Sequence, residues 1–300
     1  MESAALAPTH IRAIDSAMHP GRVSLSVADL RGATRFYERV LGLTLRSADE
    51  HQALLGPQEG DPLIQLTAGA LQGARRSRTT GLYHMALLYP SRTALGAALL
   101  RLATTGYAIQ GASDHGVSEA IYLADSEGNG LELYADRPRA VWPRMNGTLA
   151  MVADPLDLDQ LLHGALTAGQ DGSQTVSALR MGHIHLHVAR LEPAIAFYRE
   201  GLGLKLVQRY GDQAAFLAAG EYHHHIGINT WAGLGAAPPH PDSPGLRTFD
   251  LVLPSDGSLQ STIDHLRAYG APLQAHEASY ETQDPSANRL VLRSARPQPT

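Results

Sequence analysis

The sequence predicts a mixed α+β protein made of four strand-helix-strand-strand-strand (βαβββ) modules in two tandem domains. The segment GRVSLSV, which begins at Gly21, returns as GHIHLHV at Gly182, an offset of 161 residues. A second segment, which begins at Gly81, returns at Gly245 with an offset of 164 residues. Each segment starts with an alternating or apolar strand, continues with a helical period and stops at a glycine. The modules therefore follow one another in the order A-B-A-B.

The elements of each module can be assigned in chain order. The Phe-Tyr pair at 36–37 recurs at 197–198, and the Leu-Gly-Leu sequence that ends the helix at 41–43 recurs at 202–204. Shorter strands follow, which read LTLRS, HQALLG and PLIQLTAG in the first module and KLVQRY, AAFLAAG and HHHIGINTW in the third. The predicted module limits are 20–70, 80–136, 180–232 and 245–295.

The predicted N-terminal domain covers residues 1–136 and the C-terminal domain covers residues 180–300. The connector, residues 137–179, fits no module, and its apolar patch DPLDLDQLL indicates one helix. A single module covers only one face of its sheet, so two modules must pair and curve into a cup. We expect a binding site inside such a cup, where inward positions of several strands converge.

Composition excludes several classes of protein. With 44% hydrophobic and 18% charged residues the chain can bury a core and is not disordered. A net charge of −5 without a long basic run argues against a nucleic-acid partner. The absence of a long apolar run and of an export signal predicts no membrane partner and a cytoplasmic location. With no cysteine and 15 histidines, any metal must bind through nitrogen and oxygen.

The segment SDHGVSEAIYLADSEGNGLE, residues 113–132, contains the most informative spacing in the chain. It sets His115, Tyr122, Asp125, Gly128 and Glu132 in order along the last strands of the second module. Together with the module order, this segment resembles the vicinal-oxygen-chelate superfamily of glyoxalase I, fosfomycin-resistance proteins, bleomycin-binding proteins and extradiol dioxygenases. Extradiol dioxygenases carry this pattern, although serines at 113 and 126 replace the usual residues here, the latter a proline.

The resemblance implies a ferrous ion, or Mn(II), held by two histidines and one carboxylate, with Glu132 as the carboxylate ligand. His84 stands on the opening strand of the second module, where the family places a ligand. The repeat alignment sets Arg22 against His183, and arginine cannot ligate iron, so His183 is the expected third ligand. His185 and His187 share its strand face, and an exchange of the ligand within this strand stays open.

These ligands require the second and third modules to pair, which leaves the first and fourth to form a metal-free cup. In the fourth module Thr248 stands at the place of His84, and Val291 stands at the place of Glu132. Neither side chain is a good ligand for iron. The better-known extradiol enzymes pair the third and fourth modules instead.

The resemblance also implies a set of acid-base residues. Extradiol enzymes have a histidine pair at the place of the run 222–225, Tyr-His-His-His, and its second member acts as acid and base. Counted from the following strand, His225 takes that role. His115 and Tyr122 are expected to hydrogen-bond the substrate. The roles of His223 and His224 stay open.

The resemblance implies an extradiol enzyme of the catechol 2,3-dioxygenase type, which opens a catechol with O2 to give a 2-hydroxymuconic semialdehyde. Its partners would be an aromatic diol, O2 and, by analogy, a second copy of the chain. One alternative is a lyase or isomerase of the glyoxalase kind with zinc or nickel and a fourth ligand near His225 or Gly227. Another is a non-enzymatic protein that binds aromatic compounds in the metal-free cup.

Overall fold

The computed structural model describes residues 12–71, 78–172 and 178–295. Outside these ranges lie the predicted domain limits, residues 1 and 300, and connector residues 173–177. The first eleven residues, which were part of the export prediction, also lie outside them. Each of the four modules contains one helix and four strands, as the sequence predicts.

The first module contains β1 (His19–Val27), α1 (Leu30–Arg39), β2 (Thr44–Ala48), β3 (Gln52–Gly56) and β4 (Ile64–Ala68). The second contains β5 (Gly81–Tyr89), α2 (Arg92–Thr105), β6 (Gly111–Asp114), β7 (Ser118–Ala124) and β8 (Gly130–Asp136). The connector contains the short strands β9 (Arg144–Met145) and β10 (Thr148–Leu149) and the predicted helix, α3 (Leu158–Thr167). Its hairpin, β9–β10, was not predicted.

The third module contains β11 (Arg180–His187), α4 (Leu191–Ala196), β12 (Lys205–Tyr210), β13 (Ala214–Ala218) and β14 (Ile226–Asn229). The last turn of its helix, Phe197–Gly201, is π-helical. The fourth module contains β15 (Gly245–Leu253), α5 (Asp256–Tyr269), β16 (Gln274–His276), β17 (Ser279–Gln283) and β18 (Arg289–Ser294).

Local sequence explains where the helices begin and end. Asp29, Ser91 and Ser255 cap the N-termini of α1, α2 and α5 by accepting a hydrogen bond from a backbone N–H three residues later. Gly106 and Gly270 end α2 and α5 with positive φ angles of 68° and 85°, which glycine adopts without a steric penalty.

The modules assemble into two curved eight-stranded sheets. One sheet has the strand order β16-β17-β18-β15-β1-β4-β3-β2, and the other has the order β12-β13-β14-β11-β5-β8-β7-β6. The first therefore joins modules one and four, and the second joins modules two and three, which confirms the predicted pairing. Each sheet takes one module from each half of the chain.

Buried tyrosines connect the modules that follow one another in the chain. The hydroxyl of Tyr37, on α1, donates to Asp125 of the second module at 2.8 Å. Its repeat, Tyr198, donates to Asp284 of the fourth module at 3.1 Å. Because the two sheets already join modules one with four and two with three, these bonds complete a closed ring of four modules.

The described residues include no helix that is both long enough and apolar enough to span a membrane.

Candidate active site

Three side chains from three adjacent strands meet on the inner face of the sheet formed by modules two and three. Ala86 of β5 pairs with His183 of β11 on one side and with Glu132 of β8 on the other. His84 lies two residues earlier on β5, so its side chain emerges on the same face. The Glu132 carboxylate lies 3.0 Å from His84 Nε2 and 3.1 Å from His183 Nε2.

This triad is almost completely shielded from water, with 6% of His84, 3% of Glu132 and 1% of His183 exposed. Burial lowers the pKa of His183 to about 4, so its imidazole is neutral at pH 7. Burial would raise the pKa of Glu132, but the two histidines outweigh it and hold this pKa well below its usual range. His183 therefore offers a neutral imidazole and Glu132 an ionised carboxylate, the protonation states that ligate a metal.

The triad fits a divalent metal ion. Neighbouring ligand atoms about 2.1 Å from an octahedral ion are separated by about 3 Å, which matches the measured separations. His84 Nε2, although buried, has no hydrogen-bond partner of acceptable geometry. A nitrogen aimed at a carboxylate in this way is explained by an ion between them. Within the described ranges this is the one group of three or more candidate ligands that lies within ligating distance.

Tyr122 and His115, predicted to contact the substrate, lie beside the triad and bond to each other. His115 Nδ1 lies 2.7 Å from the carbonyl of Val152 and must donate to it, because a carbonyl only accepts. His115 Nε2 is then the acceptor for the Tyr122 hydroxyl, also at 2.7 Å. Burial, and next the charge of Glu132, raise the pKa of Tyr122 well above its usual range, so the phenol keeps its proton.

The structure corrects the choice among the three consecutive histidines. His224, not His225, lines the cavity above the triad, with its ring centroid 4.1 Å from that of His183. The His225 ring instead packs on Tyr222, and its Nδ1 accepts from the backbone N–H of Ala219 at 3.1 Å. The residue predicted as the base, His225, is therefore turned from the cavity, while its backbone bonds to Ile184 of β11 and Leu217 of β13.

A chain of hydrogen bonds orients His224. His223 Nε2 lies 3.0 Å from the carboxylate of Asp136 and donates to it. In the neutral tautomer of His223, Nδ1 is then an acceptor, and His224 Nδ1 donates to it at 2.8 Å. The remaining nitrogen of His224, Nε2, carries no proton and is free to act as an acceptor. Burial holds the pKa of His224 well below its usual range, which keeps the imidazole neutral.

Asn229 of β14 determines the environment of the two histidines whose roles stayed open. Its amide nitrogen donates to His185 Nε2 at 3.0 Å, and its amide oxygen lies 2.7 Å from His187 Nδ1. His185 lines the cavity, whereas His187 lies beyond it, in a neighbouring pocket. Gly227 gives His185 its space, because a Cβ there would lie 2.8 Å from the ring. Gly227 has no side chain and His225 faces away, so neither supplies a fourth ligand.

The cavity has a volume of about 520 Å³ and includes residues that the sequence did not single out. Phe216, Tyr83 and Trp231 supply aromatic walls, and Met151 and Val152 of the connector supply an aliphatic wall. No local motif marks these residues, because only the tertiary structure brings them to the cavity. An apolar cavity above a polar triad suits a flat aromatic ligand.

In the cup formed by modules one and four, polar side chains occupy the place that the triad occupies in the cup of modules two and three. Arg22, at the repeat position of His183, makes no described ion pair, and its Nε is buried without a hydrogen-bond partner. Two residues further along β1, Ser24 bonds to Gln65 at 3.4 Å. Among the residues described, no set of candidate metal ligands converges in this cup.

Paired βαβββ modules around a buried His-Glu-His triad define the class of protein to which the chain belongs. A family model described as the Glyoxalase/Bleomycin resistance protein/Dioxygenase superfamily matches residues 19–133 and 180–284. The chain is therefore a member of this superfamily, as its resemblance predicted.

One relative is similar over nearly its whole length. A protein of Bacillus subtilis (strain 168) named catechol-2,3-dioxygenase is 38% identical over 280 residues, which cover 91% of this chain and 96% of the relative.

Two solved structures share the fold at low sequence identity. A "putative dioxygenase" from Bacillus subtilis subsp. subtilis str. 168 has a TM-score of 0.62 at 14% identity, with 95% of this chain and 87% of that chain covered. Glyoxalase I from Zea mays has a TM-score of 0.55 at 16% identity, with 93% and 92% covered.

Proposed function

We propose that the protein is an extradiol ring-cleaving dioxygenase, which opens catechol or a substituted catechol with O2. The observation that carries the proposal is the convergence of His84, Glu132 and His183 within about 3 Å at the floor of an aromatic-lined cavity. The 38% identical relative named catechol-2,3-dioxygenase supports the same reaction class. A cytoplasmic location and a homodimer stay predictions.

We assign Fe(II) to the triad, with Mn(II) as the substitute that the same ligands accept. Two imidazoles and one carboxylate on one side of an octahedral ion form the facial triad of non-haem iron oxygenases. Fe(II) held by His84, Glu132 and His183 would keep room for a catechol and O2. When bound, the ion supplies the redox chemistry that brings ring and dioxygen together.

His224 is assigned as the base that takes the proton of a catechol hydroxyl. Its Nδ1 is occupied by His223 at 2.8 Å, so the unprotonated Nε2 is the acceptor available to a ligand. The proton that arrives at Nε2 is stabilised through His223 by the Asp136 carboxylate, which is 3.0 Å from His223. The same nitrogen returns the proton after the ring opens.

Tyr122 and His115 are assigned to the opposite side of the substrate. The Tyr122 hydroxyl is protonated and lies beside the triad. Without substrate its single proton is donated to His115 at 2.7 Å, and on substrate binding the hydroxyl turns to donate to oxygen as negative charge develops there. The hydrophobic walls keep the ring over the triad and exclude water.

The overall reaction needs no reductant. The carbon–carbon bond beside one hydroxyl-bearing carbon breaks, and both atoms of O2 enter the product. Every atom of catechol and of O2 is present in the 2-hydroxymuconic semialdehyde, so nothing else is consumed or released. The ring loses the electrons that O2 gains.

The test is anaerobic reconstitution with Fe(II), removal of unbound iron, and addition of catechol followed by air. We expect a yellow ring-fission product near neutral pH in proportion to bound iron, and no product from the same protein loaded with Zn(II). The Glu132→Gln variant serves as a second control, because it keeps the shape of the side chain and removes its charge. Protein that binds iron stoichiometrically but cleaves neither catechol nor methylcatechols would refute the proposal.

A further inference from the structure

One segment of the connector, residues 150–154, belongs to no module yet lies along the cavity; we call it the connector wall. Its far end pairs with the second module, where Asp114 and Asp154 exchange two backbone hydrogen bonds of 2.9 Å. The backbone N–H of Val152 also donates to the carbonyl of His115 at 3.1 Å. The connector wall is therefore attached to the second module as an additional short edge.

The other attachment of the connector wall is to the third module, through Gln208 of β12. The side-chain oxygen of Gln208 accepts from the backbone N–H of Met151 at 2.7 Å. Its side-chain nitrogen donates to the carbonyl of the same residue at 3.1 Å. One amide therefore satisfies both backbone groups of Met151 and fixes the connector wall relative to the cavity.

A small apolar cluster supports the connector wall from beneath. Val117, Trp142 and Leu149 are buried together, and Met151 packs against them. Gly116, with a φ of 72°, lets the adjacent turn approach Pro143, because a Cβ there would lie 2.8 Å from the proline ring. The segment is thus packed as well as hydrogen-bonded.

The position of the connector wall relates it to one part of the substrate. The triad occupies the buried end of the cavity, whereas Val152 is 41% exposed and Tyr210 is 65% exposed at the open end. A catechol that binds the ion through both oxygens directs carbons 4 and 5 away from the ion, towards the open end. Substituents on these carbons would therefore meet the connector wall.

We propose that the connector wall selects the substrate by its ring substituent, with Val152 and Met151 as the selecting side chains and Gln208 as the positioning residue. The inference rests on the proposed function, because it assumes a catecholic ligand at the triad. Val152 is the best test position, since its backbone carbonyl holds His115 at 2.7 Å and a side-chain substitution leaves that carbonyl in place.

The experiment compares Val152→Ala and Val152→Phe with the wild type. Anaerobic calorimetry on iron-loaded protein measures the binding of catechol, 4-methylcatechol and 4-tert-butylcatechol, and kcat/KM is measured separately in air. Relative to catechol, Val152→Ala should bind the tert-butyl compound at least about fivefold more tightly, and Val152→Phe at least about tenfold more weakly. Val141→Ala and Val141→Phe are the matched controls, because Val141 is a connector residue, 61% exposed, that does not line the cavity.

Gln208→Met tests the positioning role, because methionine keeps the length of the side chain and removes both hydrogen bonds. We expect a severalfold rise in KM for the tert-butyl compound relative to the KM for catechol, with the iron content unchanged. A merely structural role would alter all three substrates equally.

Selectivity ratios that stay at the wild-type value in both Val152 variants would overturn the inference. The binding measurement keeps this outcome separate from a failure of the proposed function. Protein that binds catechols selectively but never opens the ring would refute the dioxygenase and still support the connector wall. Protein that binds no catechol would overturn both.

Discussion

The three histidines of β11 lie on the same strand face but have different hydrogen-bond partners. His183, His185 and His187 share one face of the strand, yet the Glu132 carboxylate meets only His183 within hydrogen-bonding distance. His185 lies opposite His84 in the sheet, but its Nε2 is held by Asn229 at 3.0 Å. The hydrogen-bond partner of each imidazole therefore distinguishes His183 as the metal-ligand candidate, because all three histidines lie on the same strand face.

We expect His183→Ala to weaken the binding of Fe(II) by more than the roughly 10–100-fold that loss of an outer hydrogen bond to a ligand costs. His187→Ala, on the same face of β11, is the matched control and should keep its iron. The measurement is equilibrium dialysis followed by metal analysis of the folded protein. Full metal content in His183→Ala would exclude this residue as a ligand.

Replacement of His224 by asparagine should lower kcat at pH 7 by about 10²- to 10⁴-fold, the usual contribution of a general base. The neighbouring His225→Asn variant should stay within a few-fold of the wild type per bound iron, because the His225 ring faces away from the cavity. Steady-state kinetics with catechol, normalised to iron, compares the two. A larger loss in His225→Asn than in His224→Asn would identify His225 as the base instead.

At the scale of the elements, the tyrosines of the first and third modules fix a helix to the next module. Asp125, which accepts from Tyr37, also accepts from the Asn129 side chain and from two backbone N–H groups. Burial raises its pKa, so these donors are needed to keep the carboxylate charged. The sequence repeat revealed the Phe-Tyr pairs, but their aspartate partners lie 88 and 86 residues away and were not predicted.

Tyr37→Phe should destabilise the protein by about 1–3 kcal/mol, because it removes one donor from a buried carboxylate. Tyr198→Phe should cost a similar amount, since Tyr198 makes the corresponding bond to Asp284. The free energy of unfolding in urea measures both, with Tyr269→Phe, a 38% exposed residue, as the control. A loss no larger than that of the control would show that these bonds do not hold the modules together.

Over the whole molecule, the four modules form a ring in which strand pairing and helix contacts alternate. This arrangement gathers His84, Glu132, His183 and His224 from both halves of the chain into one buried site. Concentration of so many imidazoles away from water has a consequence for stability. Burial lowers the pKa of His183 to about 4 and that of His225 to about 3, and it also lowers those of His185 and His224.

The metal-free protein should therefore lose stability as the pH falls from about 6.5 towards 4. In the unfolded chain these four histidines bind protons near pH 6.5, whereas in the folded protein they do not, so unfolding takes up protons. Asp125 and Asp284 act in the opposite direction, because burial raises their pKa, but they are outnumbered. Urea unfolding at pH 7.5, 6 and 5 measures the slope, and a constant free energy over this range would contradict the expectation.

The sequence by itself determined the modules and their order, which follow from periodicity and repeat register. The three residues that converge on one point, and the pairing of modules two with three that they require, came from the resemblance to extradiol dioxygenases together with that register. Only the tertiary structure decided that His224 rather than His225 faces the cavity, and that Val152, Met151 and Gln208 border it. Nothing in a run of three histidines indicates which side chain faces the cavity, and a connector without hydrophobic periodicity does not indicate where it packs. Contacts between residues distant in the chain determine both.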